Sequence, residues 1–400
     1  MTQLVLNARV LKLAQSATLA AKAKAKALSD QGISVVSLGT GEPDFETPKL
    51  IKEAAKRALE TGVSRYTAIR GTDELVASMR AKFLRDQKLT YGINQVLSTV
   101  GAKAAISQAI DAVVENGDEV ILLAPYWVSY IEQVRWAGGV PVVVPSTAEQ
   151  GYVPPLESIQ AAIGPKTKLI ILNSPNNPTG MVWSESYLRA LMKLFEGTGI
   201  WVISDEIYEH LVFDDHVHVS PATFSKDAYE RTVVITGASK GYAMTGWRVG
   251  IAGGSERWIS AMSKIQEQRY TCIASIAQAS VAYALTEPPE LKIEIEKMRS
   301  SYENRRDFVM EKIPTLKDVS CVKPQGAFYA LLDFGKWMGK EHRGGVIADD
   351  NVLADRILGE AHVALVAGSA FGAPGCLRMS LASSPKDLEE GMLRIRNWLT

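Results

Sequence analysis

Lys240 stands in the stretch Gly237-Ala-Ser-Lys-Gly-Tyr-Ala-Met-Thr-Gly-Trp-Arg248, framed by small residues, preceded by the β-prone run Thr232-Val-Val-Ile-Thr236 and closed by a guanidinium. An amine held at the end of a buried strand is shielded enough from water to be partly neutral. That is the state in which a lysine attacks a carbonyl and forms a Schiff base. Arg248 adds a donor fork suited to a phosphate. Taken alone, such a loop is more often a solvated turn, so its meaning depends on what the rest of the chain sets beside it.

Ligands of open α/β sheets bind beyond the carboxyl ends of the strands. The segments that follow the apolar runs of this chain carry the groups of one site. Asn173-Ser-Pro-Asn-Asn-Pro-Thr-Gly180 fixes its backbone with two prolines and a glycine and exposes amides, Asn177 among them. Asp205 and Tyr208 follow Val202-Ile-Ser204. Gly101-Ala102-Lys103 opens a helix whose free N–H groups and dipole suit a phosphate. Trp127 offers a flat ring after the run 119–124.

A pyridine ring acting as an electron sink asks for these residue types, which points to pyridoxal 5'-phosphate. A buried carboxylate, Asp205, keeps its ring nitrogen protonated. Asn177 and Tyr208 donate to its phenolate oxygen, Trp127 covers one ring face, and Gly101, Ala102, Lys103 and Arg248 take the phosphate. Each residue has a plainer reading: a helix cap for Asp205, core for Tyr208 and Trp127, a turn for Asn177. Their order at successive strand ends favours the site.

The elements that must position these groups alternate along the chain. Short apolar runs over 35–38, 96–100, 119–124, 141–145, 168–173, 201–205, 232–236 and 248–252 are mostly apolar on both faces, as strands of a largely parallel, helix-covered sheet are. Helical patterns cover 8–29, with an interruption at 16–18, then 48–61, 72–87, 101–115, 256–284 and a charged tract over 290–312. The remainder alternates strand-like runs at 319–322, 327–332, 363–366 and 377–381 with helices near 351–361 and 385–399, a smaller α+β body. The expected fold is therefore α/β. The segment 339–349, with paired glycines and mixed charges, reads as a flexible loop.

The totals exclude other classes of partner. The 400 residues carry 44 Lys plus Arg against 44 Asp plus Glu, which leaves no basic surplus for nucleic acid. Cys272, Cys321 and Cys376 are widely spaced and odd in number. They predict a reducing compartment and neither disulfides nor a metal site. There is no basic and apolar leader at the start and no run long enough to cross a bilayer, so the expectation is a cytoplasmic protein without a membrane partner.

The motifs around Asn177, Asp205 and Lys240, with Gly41-Glu-Pro-Asp-Phe45, Pro125-Tyr-Trp-Val-Ser-Tyr130, Gly326-Ala-Phe-Tyr329 and Leu377-Arg-Met-Ser380, resemble class I (fold-type I) aminotransferases, in the bacterial branch acting on aspartate and prephenate. The resemblance spans nearly the whole chain. It implies a large PLP-binding domain over 48–290 and a small domain of 1–47 with 291–400. It implies a ping-pong transamination between an amino acid, L-aspartate first, and a 2-oxo acid such as 2-oxoglutarate, with prephenate or aromatic oxo acids as further acceptors. Lys240 would hold the cofactor and shuttle a proton, with Asp205 and Tyr208 as catalytic partners and Ser239 beside them.

By the same resemblance Arg378 would grip the substrate's α-carboxylate with the Gly41 backbone, beside Trp127 and Asn177. Tyr66 would reach the phosphate of a neighbouring subunit in a homodimer. For the distal carboxylate Lys103 ranks ahead of Lys12, Arg70 and Arg269. Two departures stand out. Gly237 replaces a serine found in some members, and Ala14-Gln-Ser-Ala-Thr18 replaces a Lys-Pro-Ser-Ala-Thr segment. The alternatives are a β-lyase or synthase on the same scaffold, a non-catalytic PLP-binding regulator, and a plain nucleotide-binding α/β protein. The last would need a third glycine and a helix start after Gly39-Thr-Gly41.

Overall fold

A computed structural model describes residues 4–400; the first three residues of the expected 1–47 segment lie outside it. Seven strands form the main sheet, in the spatial order Val96–Val100, Val249–Gly253, Thr232–Gly237, Trp201–Asp205, Thr167–Asn173, Glu119–Leu123 and Val140–Val144. All run parallel except Val249–Gly253, which is antiparallel to both neighbours. The reversal follows from connectivity. Only eleven residues with the Lys240 turn separate Thr232–Gly237 from Val249–Gly253, too little for the helical crossover that a parallel return needs.

Because successive side chains point to opposite faces, the alternation within each strand divides the core. Leu169 and Ile171 pack with Ala105, Ile106 and Trp258 on one face. Ile170 and Leu172 pack with Leu188 and Leu191 on the other. Both faces are covered, so the strands read as unbroken apolar runs. The helix Lys49–Glu60 buries Ile51, Ala54, Ala55 and Ala58, a single stripe at helical spacing. Thr72 and Ser184 start the helices Asp73–Gln87 and Glu185–Lys193 by accepting from backbone N–H groups three residues on, the ordinary N-cap bond.

A second sheet joins Val366–Ala367, Cys376–Ser380, Tyr329–Asp333 and Ser320–Cys321. Val36–Ser37 pairs in parallel with Val363–Ala364, so the N-terminal segment is tied to the C-terminal part of the chain. The helix Pro289–Lys312 runs between the last helix of the main body and this second sheet.

Three expectations need correction. The helical pattern 256–284 is two helices, Glu256–Arg269 and Ser275–Ala284, separated where Thr271 takes a left-handed conformation with φ 64°. The segment 339–349 is no open loop: Glu341–His342 pairs with Gly345–Val346 in a short hairpin turned at Arg343 and Gly344, both with positive φ. The helices Leu156–Ala162 and Glu185–Lys193 were not expected; both are short and lie between strands.

Candidate active site

The carboxyl ends of the strands Thr167–Asn173, Trp201–Asp205 and Thr232–Gly237 converge on a cavity of about 390 Å³. Its lining includes Lys240, Asp205, Tyr208, Asn177, Trp127, Ser239, Arg248 and Arg378, together with Gly41, Ala102 and Lys103. These residues come from positions 41 to 378, and the sheet brings them together. Gly101 stands just behind the cavity at the start of the helix Ala102–Asp111, with φ 78°. A Cβ there would lie 2.5 Å from Nη2 of Arg248. Its conformation therefore favours glycine, and any side chain there would displace the Arg248 guanidinium.

Lys240 is partly exposed, and the cavity it lines is what it faces. Its Nζ donates to the carbonyl of Gly41 at 2.5 Å. Burial, with the positive charges of Arg378 and Arg248, lowers its pKa to about 8, against a smaller opposing pull from Glu42 and Asp205. A neutral amine is thus available near physiological pH, as a nucleophilic lysine needs.

Asp205 is buried at the end of its strand, and burial raises its pKa to about 6 despite opposing hydrogen bonds. Those bonds come from the Tyr130 hydroxyl to Oδ2 at 2.6 Å and from the Ile207 N–H to Oδ1 at 3.2 Å. A buried carboxylate held this way is a ready partner for a cationic N–H. Asn173 braces the two neighbouring loops: its Nδ2 donates to the Asp205 carbonyl at 2.9 Å, and its Oδ1 accepts from the Asn177 N–H at 2.9 Å.

Tyr208 is buried, and its hydroxyl lies 2.9 Å from that of Tyr329. Arg378, 1% exposed, donates from Nη1 to Asn177 Oδ1 at 3.0 Å and from Nη2 to the Gly39 carbonyl at 2.9 Å. Its guanidinium lies 4.4 Å from the ring centroid of Tyr329 and 4.8 Å from that of Phe371. Its Nε is buried without a hydrogen-bond partner, in a cavity whose wall it forms. An unsatisfied guanidinium donor is costly, and a carboxylate would satisfy it in the fork geometry.

These features test whether the residues fit pyridoxal 5'-phosphate, and they do. An amine of lowered pKa, a buried acid, a flat ring at Trp127, and a glycine-opened helix start beside Arg248 line one small cavity. Gly237 adds a structural reason for the departure at that position. A Cβ there would stand 2.7 Å from the Val249 carbonyl, so serine has no room, while Ser239 lines the cavity instead.

Not every candidate joins the site. Lys12 lies exposed in the short helix Ala8–Lys12 and does not line the cavity. Arg70 donates to the Asn94 carbonyl at 2.9 Å, and Arg269 pairs with Asp111 at 2.6 Å. Both cations are spent elsewhere. Tyr66 is 90% exposed and does not line this cavity. Lys103 does reach it, 5.1 Å from the Trp127 ring centroid. Sequence reasoning assigned no role to Tyr130, Tyr329, Glu42 or Lys22. The spacing of Tyr130 three residues after Trp127, one helical turn away, was the available signal.

The comparisons agree with this geometry. Residues 33–395 match the family model for aminotransferase class I and II. The chain is 42% identical over 389 residues to an aspartate/prephenate aminotransferase of Thermus thermophilus, covering 97% of each chain. It is 40% identical over 394 residues to a probable aspartate/prephenate aminotransferase of Aquifex aeolicus, covering 98% of each. Among solved structures, the aspartate aminotransferase of Rhizobium meliloti superposes with a TM-score of 0.95 at 36% identity over 99% of both chains. The Thermus thermophilus enzyme with maleate gives 0.93 at 40% identity, over 99% of this chain and 100% of that one. With a lysine, an acid and an arginine gathered in one cavity of this fold, the chain belongs to the class I and II aminotransferases, enzymes that work with pyridoxal 5'-phosphate.

Proposed function

We propose that this aminotransferase transfers the amino group of L-aspartate to a 2-oxo acid such as 2-oxoglutarate, by two half-reactions in turn. The observation that carries the substrate class is the charge of the cavity. Lys22, Lys103, Lys240, Arg248 and Arg378 line it against only Glu42 and Asp205. Arg248 is set aside for the phosphate and Arg378 for an α-carboxylate. Lys103 then remains on the wall, and no carboxylate of the described residues pairs with it. A cation so placed suits a second substrate carboxylate. The relatives named for aspartate and prephenate, and the neighbour solved with maleate, support a dicarboxylate as well.

When bound, the cofactor supplies a protonated pyridine ring that accepts electrons released at the substrate Cα. The chain's residues do the rest. Asp205, held by Tyr130, would supply the negative charge that keeps the ring nitrogen protonated. Tyr208 and Asn177 would donate to its phenolate oxygen, Trp127 would cover one ring face, and the backbone N–H groups of the helix start at Gly101 to Lys103, with Ser239 and Arg248, would hold the phosphate. Arg378, with the backbone at Gly41, would hold the α-carboxylate in the cavity that the Lys240 amine also lines. That amine, about half neutral at pH 8, would take the proton from Cα and later return it.

An aromatic or ring-bearing oxo acid such as prephenate is a second reading. Leu19, Ile106 and Val128 form an apolar rim beside Lys103 and Trp127, which suits a ring carrying a carboxylate. Residues 48–290 would form the large domain, and 1–47 with 291–400 the small one, consistent with the pairing of Val36–Ser37 to Val363–Ala364. The exposure of Tyr66 supports a homodimer in which this ring enters the partner's phosphate site. Three unpaired cysteines support a cytoplasmic setting.

Steady-state kinetics over a panel of amino donors with 2-oxoglutarate, prephenate and phenylpyruvate tests the reading. Aspartate should lead, and Lys103→Met should raise KM for aspartate more than for phenylalanine. Equal losses for both donors would defeat the assignment of Lys103. Release of ammonia without a new amino acid would favour a lyase.

A further inference from the structure

The helix Ala17–Asp30 closes the outer side of the cavity with Thr18, Leu19 and Lys22, preceded by Ser16. Lys22 is the cation of that wall. Its Nζ lies 3.5 Å from Oε1 of Glu42, and the other oxygen of Glu42 accepts from the Thr245 hydroxyl at 3.2 Å. Glu42 follows Gly41, whose carbonyl receives the Lys240 amine. Thr245 belongs to the loop that carries Lys240 and Arg248. Glu42 is therefore a carboxylate fixed at the mouth by one residue from each side. Its charge is felt inside: it opposes the lowering of the Lys240 pKa and helps raise that of Tyr329.

A negative charge at the entrance disfavours a substrate with two carboxylates far more than one with a single carboxylate, because each added charge adds a repulsive interaction. Lys22 is placed to cancel it. We infer that Lys22 is a specificity-determining residue, which neutralises Glu42 so that a second substrate carboxylate reaches Lys103 without meeting an unbalanced negative charge. The inference rests on the dicarboxylate reading of the cavity. Lys22 and Glu42 are both about half exposed or more, so their coupling is screened by salt.

The test is a double-mutant cycle with Lys22→Met, Glu42→Gln and both together in the holoenzyme. The readout is the ratio of kcat/KM for aspartate to that for phenylalanine. Binding of succinate and of 3-phenylpropionate, by calorimetry, is a second readout free of turnover. Lys22→Met should lower both the kinetic ratio and the succinate preference about three- to fivefold at low ionic strength, the range of an exposed ion pair. The deficit should shrink at high salt, and the double variant should recover the wild-type ratio. An unchanged ratio in Lys22→Met overturns the inference, as does a deficit that Glu42→Gln does not repair, which would make Lys22 a direct ligand of substrate instead. The wild-type ratio separates the two levels. A wild type that favours phenylalanine removes the dicarboxylate reading and the inference together, whereas a wild type that favours aspartate beside an unaffected Lys22→Met removes the inference alone.

Discussion

The hydroxyl of Tyr130 donates to Oδ2 of Asp205 at 2.6 Å, and Tyr130 is itself 1% exposed. This bond opposes the burial that raises the Asp205 pKa to about 6. In Tyr130→Phe the carboxylate loses a donor to its charged form, so its pKa should rise further. A hydrogen bond to a charged group is worth about 1.5–3 kcal/mol, equivalent to about one to two pH units. The acidic limb of the kcat/KM profile should move upward by that order, with activity at neutral pH reduced about two- to tenfold. Kinetics over pH 5 to 9 provide the measurement. An unmoved acidic limb would mean that Tyr130 only packs.

The amine of Lys240, lowered to about 8, sets a second pH dependence. Below that value the amine is increasingly protonated and cannot attack a carbonyl. Capture of pyridoxal 5'-phosphate by apoprotein, trapped with borohydride and read by mass spectrometry, should therefore slow about tenfold per pH unit below the folded pKa and level off above it. Lys240→Ala should show no trapped adduct and no turnover. A Lys240→Ala protein that kept both the cofactor absorbance and turnover would rule out this lysine as the nucleophile.

Arg378 holds two acceptors, and its Nε stays without one. Arg378→Lys keeps the charge but loses the planar fork. KM for aspartate and for 2-oxoglutarate should rise together, with kcat/KM lower by about 100-fold, in line with loss of a bidentate charged bond of about 2–3 kcal/mol. A loss confined to one dicarboxylate would contradict an α-carboxylate role, because that group is common to both.

Lys82 is almost wholly buried, with Glu209 at 2.7 Å and Asp86 at 3.2 Å. Glu209 follows Tyr208 in the chain, and it also accepts from the Thr236 hydroxyl just ahead of the Lys240 turn. Lys82→Met would leave Glu209 buried without its cation, a loss of about 3–5 kcal/mol. Denaturant unfolding should show it. Lys82→Met with Glu209→Gln should recover much of that stability.

Gly237 marks the line between packing and chemistry. Gly237→Ser would press a Cβ to 2.7 Å from the Val249 carbonyl. The added hydroxyl should therefore destabilise the protein by about 1–3 kcal/mol, seen as a lower Tm of the apoprotein, and should not strengthen phosphate binding. Tighter cofactor binding with unchanged Tm would count against this reading.

Much of the site was legible because its residues follow strands. Apolar runs that end in Asn173, Asp205 and Gly237 place whatever comes next on one edge of the sheet, and Asn177, Tyr208 and Lys240, which follow them, line the cavity. Less legible were the groups that act from beside or behind. Tyr130 enters from a helix and Tyr329 from the second sheet, while Glu42 and Lys22 approach from the N-terminal segment. Arg269 shows the converse. By residue type it was a fair candidate for the distal carboxylate, yet Asp111 already holds it, a pairing across 158 positions that no local pattern reveals.

The sequence by itself determined the alternation of strand and helix, the loops that reach the cavity, and the lysine, acid and arginine on which the proposed chemistry rests. Periodicity and short motifs are local properties, readable within a few residues. The tertiary structure alone decided which cations stay available, how the Asp205 and Lys240 pKa values shift, and why Gly237 has no room for serine. Those depend on burial and on neighbours distant in the chain, and charge and space are settled only where separate segments meet.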